Sequence, residues 1–358
     1  LSDSLFLSAE AAAQRQTLRT RILHTTAADF DSLALAVFRY QAAHNPVYAA
    51  YLRHLRVQPG QVTALSRIPF MPIGFFKRHT VLTGFETPPD TALIFASSGT
   101  TGAQTSRHYV PDAALYDAVS TRIFEQTYGP LTNFHLLALL PSYLERNNSS
   151  LVYMVQQFMA KTGSGQSGFY LHNVGELTER LHQLRTSSDG RKVLLIGVTF
   201  ALLDWAESTA AVSLPTDVVE KLVVMETGGM KGRRQELLRE EVHQILTGRL
   251  GVPAVHSEYG MTELLSQAYS KGEGVFEPSA TLRVLLRDIN DPFHLFEPGQ
   301  AARQTQTGGI NVIDLANLDS CSFIETQDLG QYVGTEGTFR VIGRFDNSDI
   351  RGCNLLVV

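Results

Sequence analysis

The chain has two cysteines in 358 residues, Cys321 and Cys353. That is too few for a disulfide framework, and a reducing compartment is expected. No apolar run approaches the roughly 20 residues that a bilayer span needs. The opening Leu1-Ser2-Asp3-Ser4-Leu5-Phe6-Leu7 lacks the basic start and long apolar centre of a secretory leader. Charge of one sign is also missing: 30 Lys and Arg stand against 35 Asp and Glu, a net charge of −5, with no basic run or stripe. Nucleic acid is thereby excluded as the main partner. Internal repeats and low-complexity segments are absent as well. What remains is 44% hydrophobic and 18% charged, the composition of a globular chain, with a cytoplasmic location expected. Its length suits two domains or one large domain with a subdomain.

Residues 8–56 read as helical, Ala-rich with Leu33, Val37, Phe38 and Tyr40 recurring at about the helical period. Ile68-Pro69-Phe70-Met71-Pro72-Ile73 breaks any helix, because neither proline can donate and each restrains the residue before it. Ala92-Leu93-Ile94-Phe95-Ala96 is a short apolar strand that empties into Ser97-Ser98-Gly99-Thr100-Thr101-Gly102. Pro111-Asp112 fits a helix start, Phe134 to Leu140 a strand, Ser150 to Ala160 a helix, and the glycine-rich 162–168 a flexible loop. Lys192 to Val198 and Leu222 to Met225 read as buried strands, and Gly232 to Leu246 as an amphipathic helix presenting Leu238, Val242, Ile245 and Leu246. Alternating strands and helices predict an α/β arrangement with mostly parallel strands. From about Thr281, short strands between Gly, Pro, Asp and Asn clusters predict a smaller antiparallel or barrel-like unit.

Four polar patches follow strands, where an open α/β sheet gathers ligand-binding groups. Ser97 to Gly102 offers hydroxyls and backbone N–H groups to an anion, and its glycines permit close approach; an ordinary turn is the plain alternative. Glu226-Thr227-Gly228-Gly229 is a bend of small residues against which a flat ring could lie. Tyr259-Gly260-Met261-Thr262-Glu263 offers an aromatic face, a hydroxyl and a carboxylate. Thr326-Gln327-Asp328-Leu329-Gly330 with Gly343-Arg344-Phe345-Asp346 offers a carboxylate for ribose hydroxyls and a guanidinium for an anion or sugar oxygen. Taken singly, Tyr259 is as well explained as core, Asp328 as a turn residue, and Arg344–Asp346 as a surface ion pair.

Together, and in this order, the patches resemble the adenylate-forming superfamily of acyl-CoA synthetases, luciferases and peptide-synthetase adenylation domains. Ser98-Gly99-Thr100-Thr101-Gly102 is similar to its phosphate loop, and Tyr259 to Glu263 to its Tyr-Gly-x-Thr-Glu motif. Asp328-Leu329-Gly330 resembles the ribose-binding aspartate motif, and Gly343 to Asp346 the Gly-Arg-x-Asp hinge. The resemblance implies a large α/β domain over residues 1–345, with two mainly parallel sheets, flanking helices and a small β-barrel-like subdomain at about 281–345. It implies ATP and Mg²⁺ as cofactors. Ser98, Thr100 and Thr101 would hold the β- and γ-phosphates, Gly228 and Gly229 would flank adenine, and Tyr259 would stack on it. Thr262 would meet the α-phosphate, Glu263 would hold Mg²⁺, and Asp328 and Arg344 would hold the ribose.

Two departures from the family pattern stand out. Ala103-Gln104-Thr105-Ser106-Arg107 replaces the usual proline and lysine after the loop, leaving Arg107 as the candidate charge. Residues 346–358 form a hinge-like tail, in which Cys353 stands close to Arg351; against the family pattern this is read as a chain without the lid domain and its lysine, or as a fragment of a longer one. A thiolate there could attack a mixed anhydride; an inert tail residue is the alternative. This ending resembles the acyl-protein synthetase (LuxE-type) family of bacterial luminescence, as do Ile68 to Ile73 with Phe76-Lys77, and Leu140-Pro141-Ser142 with Asn148-Ser149-Ser150-Leu151. That family implies fatty acid activation, transfer to a cysteine, and an acyl-reductase or acyl-carrier partner. A CoA ligase resembling phenylacetate-CoA ligase, or a nucleotide-binding subunit with reduced catalysis, are the other readings.

Overall fold

A computed structural model describes residues 8–97, 105–141, 148–184, 189–208, 214, 216–228, 237–296, 306–334 and 337–345. Three helices open the chain, α1 (Ala9–His24), α2 (Phe30–His44) and α3 (Pro46–His54), as the Ala-rich periodicity predicts. Ser8 caps α1 through the Ala11 N–H, and Asn45 caps α3 ahead of a proline at its first turn. The proline-bearing stretch becomes a two-residue strand, β1 (Met71–Pro72), followed by the short α4 (Phe75–Arg78). A hairpin of β2 (Leu93–Ala96) and β3 (Arg107–Val110) then leads to α5 (Ala113–Tyr128), which Asp112 caps through the Leu115 N–H.

The middle of the chain alternates strands and helices. β4 (Phe134–Leu139), α6 (Ser150–Thr162), β5 (Gly168–Phe169), α7 (Val174–Leu184), β6 (Lys192–Gly197), α8 (Thr199–Ser208), α9 (Thr216–Val219), β7 (Leu222–Glu226), α10 (Arg239–Leu250), β8 (Val255–Tyr259) and β9 (Ala268–Ser270) follow in turn. Their strands form a six-stranded sheet in the order β5-β4-β6-β7-β8-β9, parallel throughout except for the antiparallel β8/β9 pair. β4 is buried at every position, the continuous apolar pattern of a strand covered on both faces. Phe124 of α5 packs on Phe134 of β4 and Phe158 of α6, with ring centroids 5.5 and 5.2 Å apart.

The last strands are β10 (Leu282–Arg287), β11 (Gly308–Asp314), β12 (Phe323–Val333) and β13 (Thr338–Arg344). With β1 they make a second sheet in the order β1-β12-β11-β10, with β13 also on β12. Every pair in it is antiparallel except β1 with β12, as expected for the unit from about Thr281. The expectation of two mainly parallel sheets is corrected, because among the described residues only the six-stranded sheet is mainly parallel. Among the described residues no crossover helix joins β10 to β13, and a parallel neighbour needs a crossover. The helix expected from Gly232 also differs. Among the described residues it starts at Arg239, with Leu238 66% exposed and Val242, Leu246 and Leu250 forming the buried stripe. Gly251, in the left-handed region at φ 71°, ends it.

The amino-terminal helices are tied to the β11–β12 connection and to the start of α5. Arg15 of α1 grips Asp319, between β11 and β12, through Nε–Oδ1 and Nη2–Oδ2 contacts of 2.6 Å each, and reaches Asp112 Oδ2 at 2.8 Å. Gln41 of α2 donates to the carbonyls of Asn317 and Leu318 and accepts from the Ser322 N–H. Among the described residues no helix is long and apolar enough to cross a membrane.

Candidate active site

A cavity of about 550 Å³ opens where β6, β7 and β8 end, closed on its far side by β12 and β13. Three of the polar patches legible in the chain contribute to its wall. Those after β7 and β8 arrive because parallel strands deliver their following loops to one edge of the sheet, and the third comes from β12 and β13.

The turn after β7 is built by Glu226. Its carboxylate accepts from the Gly228 N–H at 2.7 Å and from Thr199 Oγ1 at 3.0 Å, while Arg239 Nε donates from 3.1 Å. Burial alone would raise this carboxyl, but His243, Arg239, Ser257 and the Gly228 N–H outweigh it and hold it at about 2. Gly228 sits at φ 74°, a conformation that costs an L side chain about 1–2 kcal/mol. Its neighbour Gly229 lies outside the described residues.

The segment from Gly260 to Glu263 is held from three sides. His108 Nδ1 donates to the Thr262 carbonyl at 2.9 Å, and His108 Nε2 meets Ser320 Oγ at 3.0 Å. Burial lowers the His108 pKa to about 4, so the ring is neutral and its tautomer follows from these two partners. Asn317 Nδ2 donates to the Glu263 carbonyl at 2.7 Å. Asp314 accepts from the N–H groups of Leu265 and Ser266 at 2.7 and 2.9 Å, and from Ser266 Oγ at 2.6 Å. Thr262 and Glu263 are thus presented to the cavity from a buttressed backbone. Glu263 is 5% exposed; burial raises its carboxyl, opposed by Ser106, its own backbone N–H, Arg344 and Lys77.

Asp328 on β12 faces Arg344 on β13 in register. Arg344 Nε lies 3.2 Å from Asp328 Oδ1, and Tyr259 Oη donates to Oδ2 at 3.0 Å. The Tyr259 ring is buried, tilted against Phe276 and roughly perpendicular to Phe339 at centroid distances of 5.9 and 5.5 Å. Among the described residues the cavity wall contains Gly228, Gly260, Thr262, Glu263, Asp328 and Arg344, while Tyr259 stands behind it and positions Asp328. Arg107 is exposed at the start of β3, and its neighbour Ser106 lines the cavity instead. Ser98, Gly99, Thr100, Thr101, Gly102 and Cys353 lie outside the described residues.

The structure adds groups that sequence reading did not assign. Lys77 on α4 brings a cation to the wall, and Glu258, Gln267 and Tyr116 line it as well. Lys77 was visible only as the last residue of the Ile68-to-Lys77 stretch. Glu258 and Gln267 carry no motif of their own, and only strand pairing places them. Among the described residues no cluster of three or more His, Cys, Asp or Glu side chains could cage a metal. Mg²⁺ bound through one carboxylate and a nucleotide's phosphates needs no such cage, and Glu263 fits that role.

A parallel sheet whose strand ends face a second, antiparallel sheet across a polar cavity is an arrangement that solved structures share. Among solved structures, the chain is similar to 2-hydroxyisobutyryl-CoA ligase. Its complex with 2-HIB-AMP and CoA in the thioesterification state matches with a TM-score of 0.60 at 13% identity, over 96% of this chain and 70% of that one. Its postadenylation complex with R3-HIB-AMP matches with a TM-score of 0.57 at 12% identity, over 96% and 69%. No protein-family model and no curated protein sequence matches the chain.

Proposed function

We propose that the protein activates a carboxylic acid with ATP and passes the acyl group to a thiol. One observation carries this reading: Thr262 and Glu263 from the first sheet share a cavity with Asp328 and Arg344 from the second, on an acid–CoA ligase fold. In the first half-reaction a carboxylate oxygen attacks the α-phosphorus of ATP, a P–O bond forms, and pyrophosphate leaves. Thr262 donates to the α-phosphate, Lys77 and Arg344 offset the negative charge, and Asp328 accepts from the ribose hydroxyls. Mg²⁺, when bound at Glu263, supplies charge neutralisation at the phosphates. In the second half-reaction a thiolate attacks the acyl carbon, a C–S bond forms, and AMP leaves with the oxygen of the broken C–O bond.

The resemblance to acyl-protein synthetases supports a fatty acid as the substrate and Cys353 as the first acceptor, with an acyl-reductase or acyl-carrier partner downstream. The CoA in the similar ligase complex supports a second reading, in which CoA is the acceptor. Carboxylate-dependent ATP–pyrophosphate exchange tests the activation step. Wild type is expected to exchange and Glu263→Gln to lose at least about 100-fold, the scale of one transition-state electrostatic group. Failure of every acid from acetate to long-chain and aromatic would refute activation. Cys353→Ser should retain exchange and lose covalent acyl label; label on that variant removes Cys353, and thioester on added CoA selects the second reading.

A further inference from the structure

Glu258 is 8% exposed, lines the cavity, and its carboxyl makes no hydrogen bond or ion pair among the described residues. Such a group is costly unless something arrives to meet it, and in native proteins it calls for an explanation. Its position is set by the alternation of β8. Ser257 reaches His243 of α10, and Tyr259 reaches Asp328, so both neighbours point toward the nucleotide-side residues. Glu258 points to the opposite face. There it stands directly across from Tyr269 of β9, and its carboxyl lies over Gly260, where an added Cβ would fall 2.3 Å from Oε1.

Further unmet polar groups lie on the wall and behind it. Gln267 lines the cavity and gives its Nε2 to the Leu265 carbonyl, while its buried Oε1 has no partner among the described residues. Tyr269 Oη is likewise buried and unpartnered among them. Tyr116, Met154 and Val198 line the same cavity. An unsubstituted hydrocarbon chain laid here would leave Glu258 and Gln267 dry and unpaired.

We propose that Glu258, with Gln267, is a specificity-determining residue that accepts a hydrogen bond from a hydroxyl or amine on the acyl portion of the acid. This rests on the acid-activation reading above and narrows its substrate to acids bearing such a donor. Burial, reinforced by Glu226, pushes the Glu258 carboxyl up to about 8. At neutral pH it therefore serves a hydroxyl as donor and acceptor alike, and an amine would draw it into the ionised form.

The test compares acids of equal chain length, unsubstituted or carrying one hydroxyl or one amine at successive positions, in ATP–pyrophosphate exchange. Wild type should favour a substituted acid over its plain counterpart by 100-fold or more, since a site built to hydrogen-bond a group discriminates strongly against its absence. Glu258→Met should erase or reverse that preference. Glu258→Gln should keep a hydroxy acid and lose an amino acid, which separates the two sources of the donor. Calorimetric binding of the same acids without ATP reads the pocket independently. Selective binding without exchange would refute activation and leave the pocket assignment standing. Exchange that prefers plain acids, with a ranking unchanged by Glu258→Met, overturns the assignment and leaves activation standing.

Discussion

Removing the Arg15 guanidinium tests how the amino-terminal helix holds the site. Its side chain is 5% exposed, and that of Asp319 is 7% exposed. Two contacts of 2.6 Å make a bidentate pair, and a third at 2.8 Å reaches Asp112. Arg15→Met leaves Asp319 buried without its counter-charge, which costs about 3–5 kcal/mol. Two charge-assisted bonds at roughly 1.5–3 kcal/mol each give the same range. Asp112 loses less, because Arg19 Nε still holds it at 2.6 Å and it still caps α5. Adding Asp319→Asn to Arg15→Met removes the stranded charge and should recover more than half of the loss. The assay is urea unfolding at pH 7 for wild type, both single variants and the double. Arg15→Met costing less than about 1 kcal/mol, the value of an exposed pair, would refute the argument, as would a double variant no more stable than the single. The neighbouring Ser320 holds His108, which holds Thr262, so pyrophosphate exchange should fall in parallel with stability.

Glu258 gives a pH signature of its own. Burial raises its folded pKa to about 8, above the 4.5 of an ordinary glutamate, so the folded state keeps a proton that the unfolded chain has lost. Stability from this group is full below pH 4.5 and is lost as pH rises toward 8, at up to about 1.4 kcal/mol per unit. The difference between wild type and Glu258→Gln in urea midpoints from pH 5 to 8 should show that slope, and a flat difference contradicts it. Gly260→Ala would drive its Cβ against the Glu258 carboxyl; a stability loss of about 1–3 kcal/mol and a changed acid ranking are expected, and no change in either would place the carboxyl elsewhere. Asp328→Asn breaks the contact with Arg344 and weakens that from Tyr259. It should raise the KM for ATP about tenfold with kcat little changed, the mark of uniform binding; a fall in kcat alone would assign Asp328 a different role.

Sequence alone determined the element types over much of the chain. Continuous apolar runs such as Phe134–Leu139 can satisfy themselves only as buried strands, and Asp112 before an apolar-periodic stretch can be little but a helix cap. It also marked Thr262, Glu263, Asp328 and Arg344, because motif residues are local in the chain. The antiparallel character of the last third was legible as well, but the parallel pairing of β1 with β12 across some 250 residues was decided by tertiary structure, since pairing depends on which strand ends meet. The roles of His108, Asn317 and Asp314 as supports, and of Glu258 and Gln267 as cavity wall, were decided there too. Nothing local distinguishes a buried carboxylate held by four donors, as Asp314 is, from one that faces a cavity without a partner among the described residues, as Glu258 does. The difference lies in which partners distant segments bring, and only the packed chain supplies them.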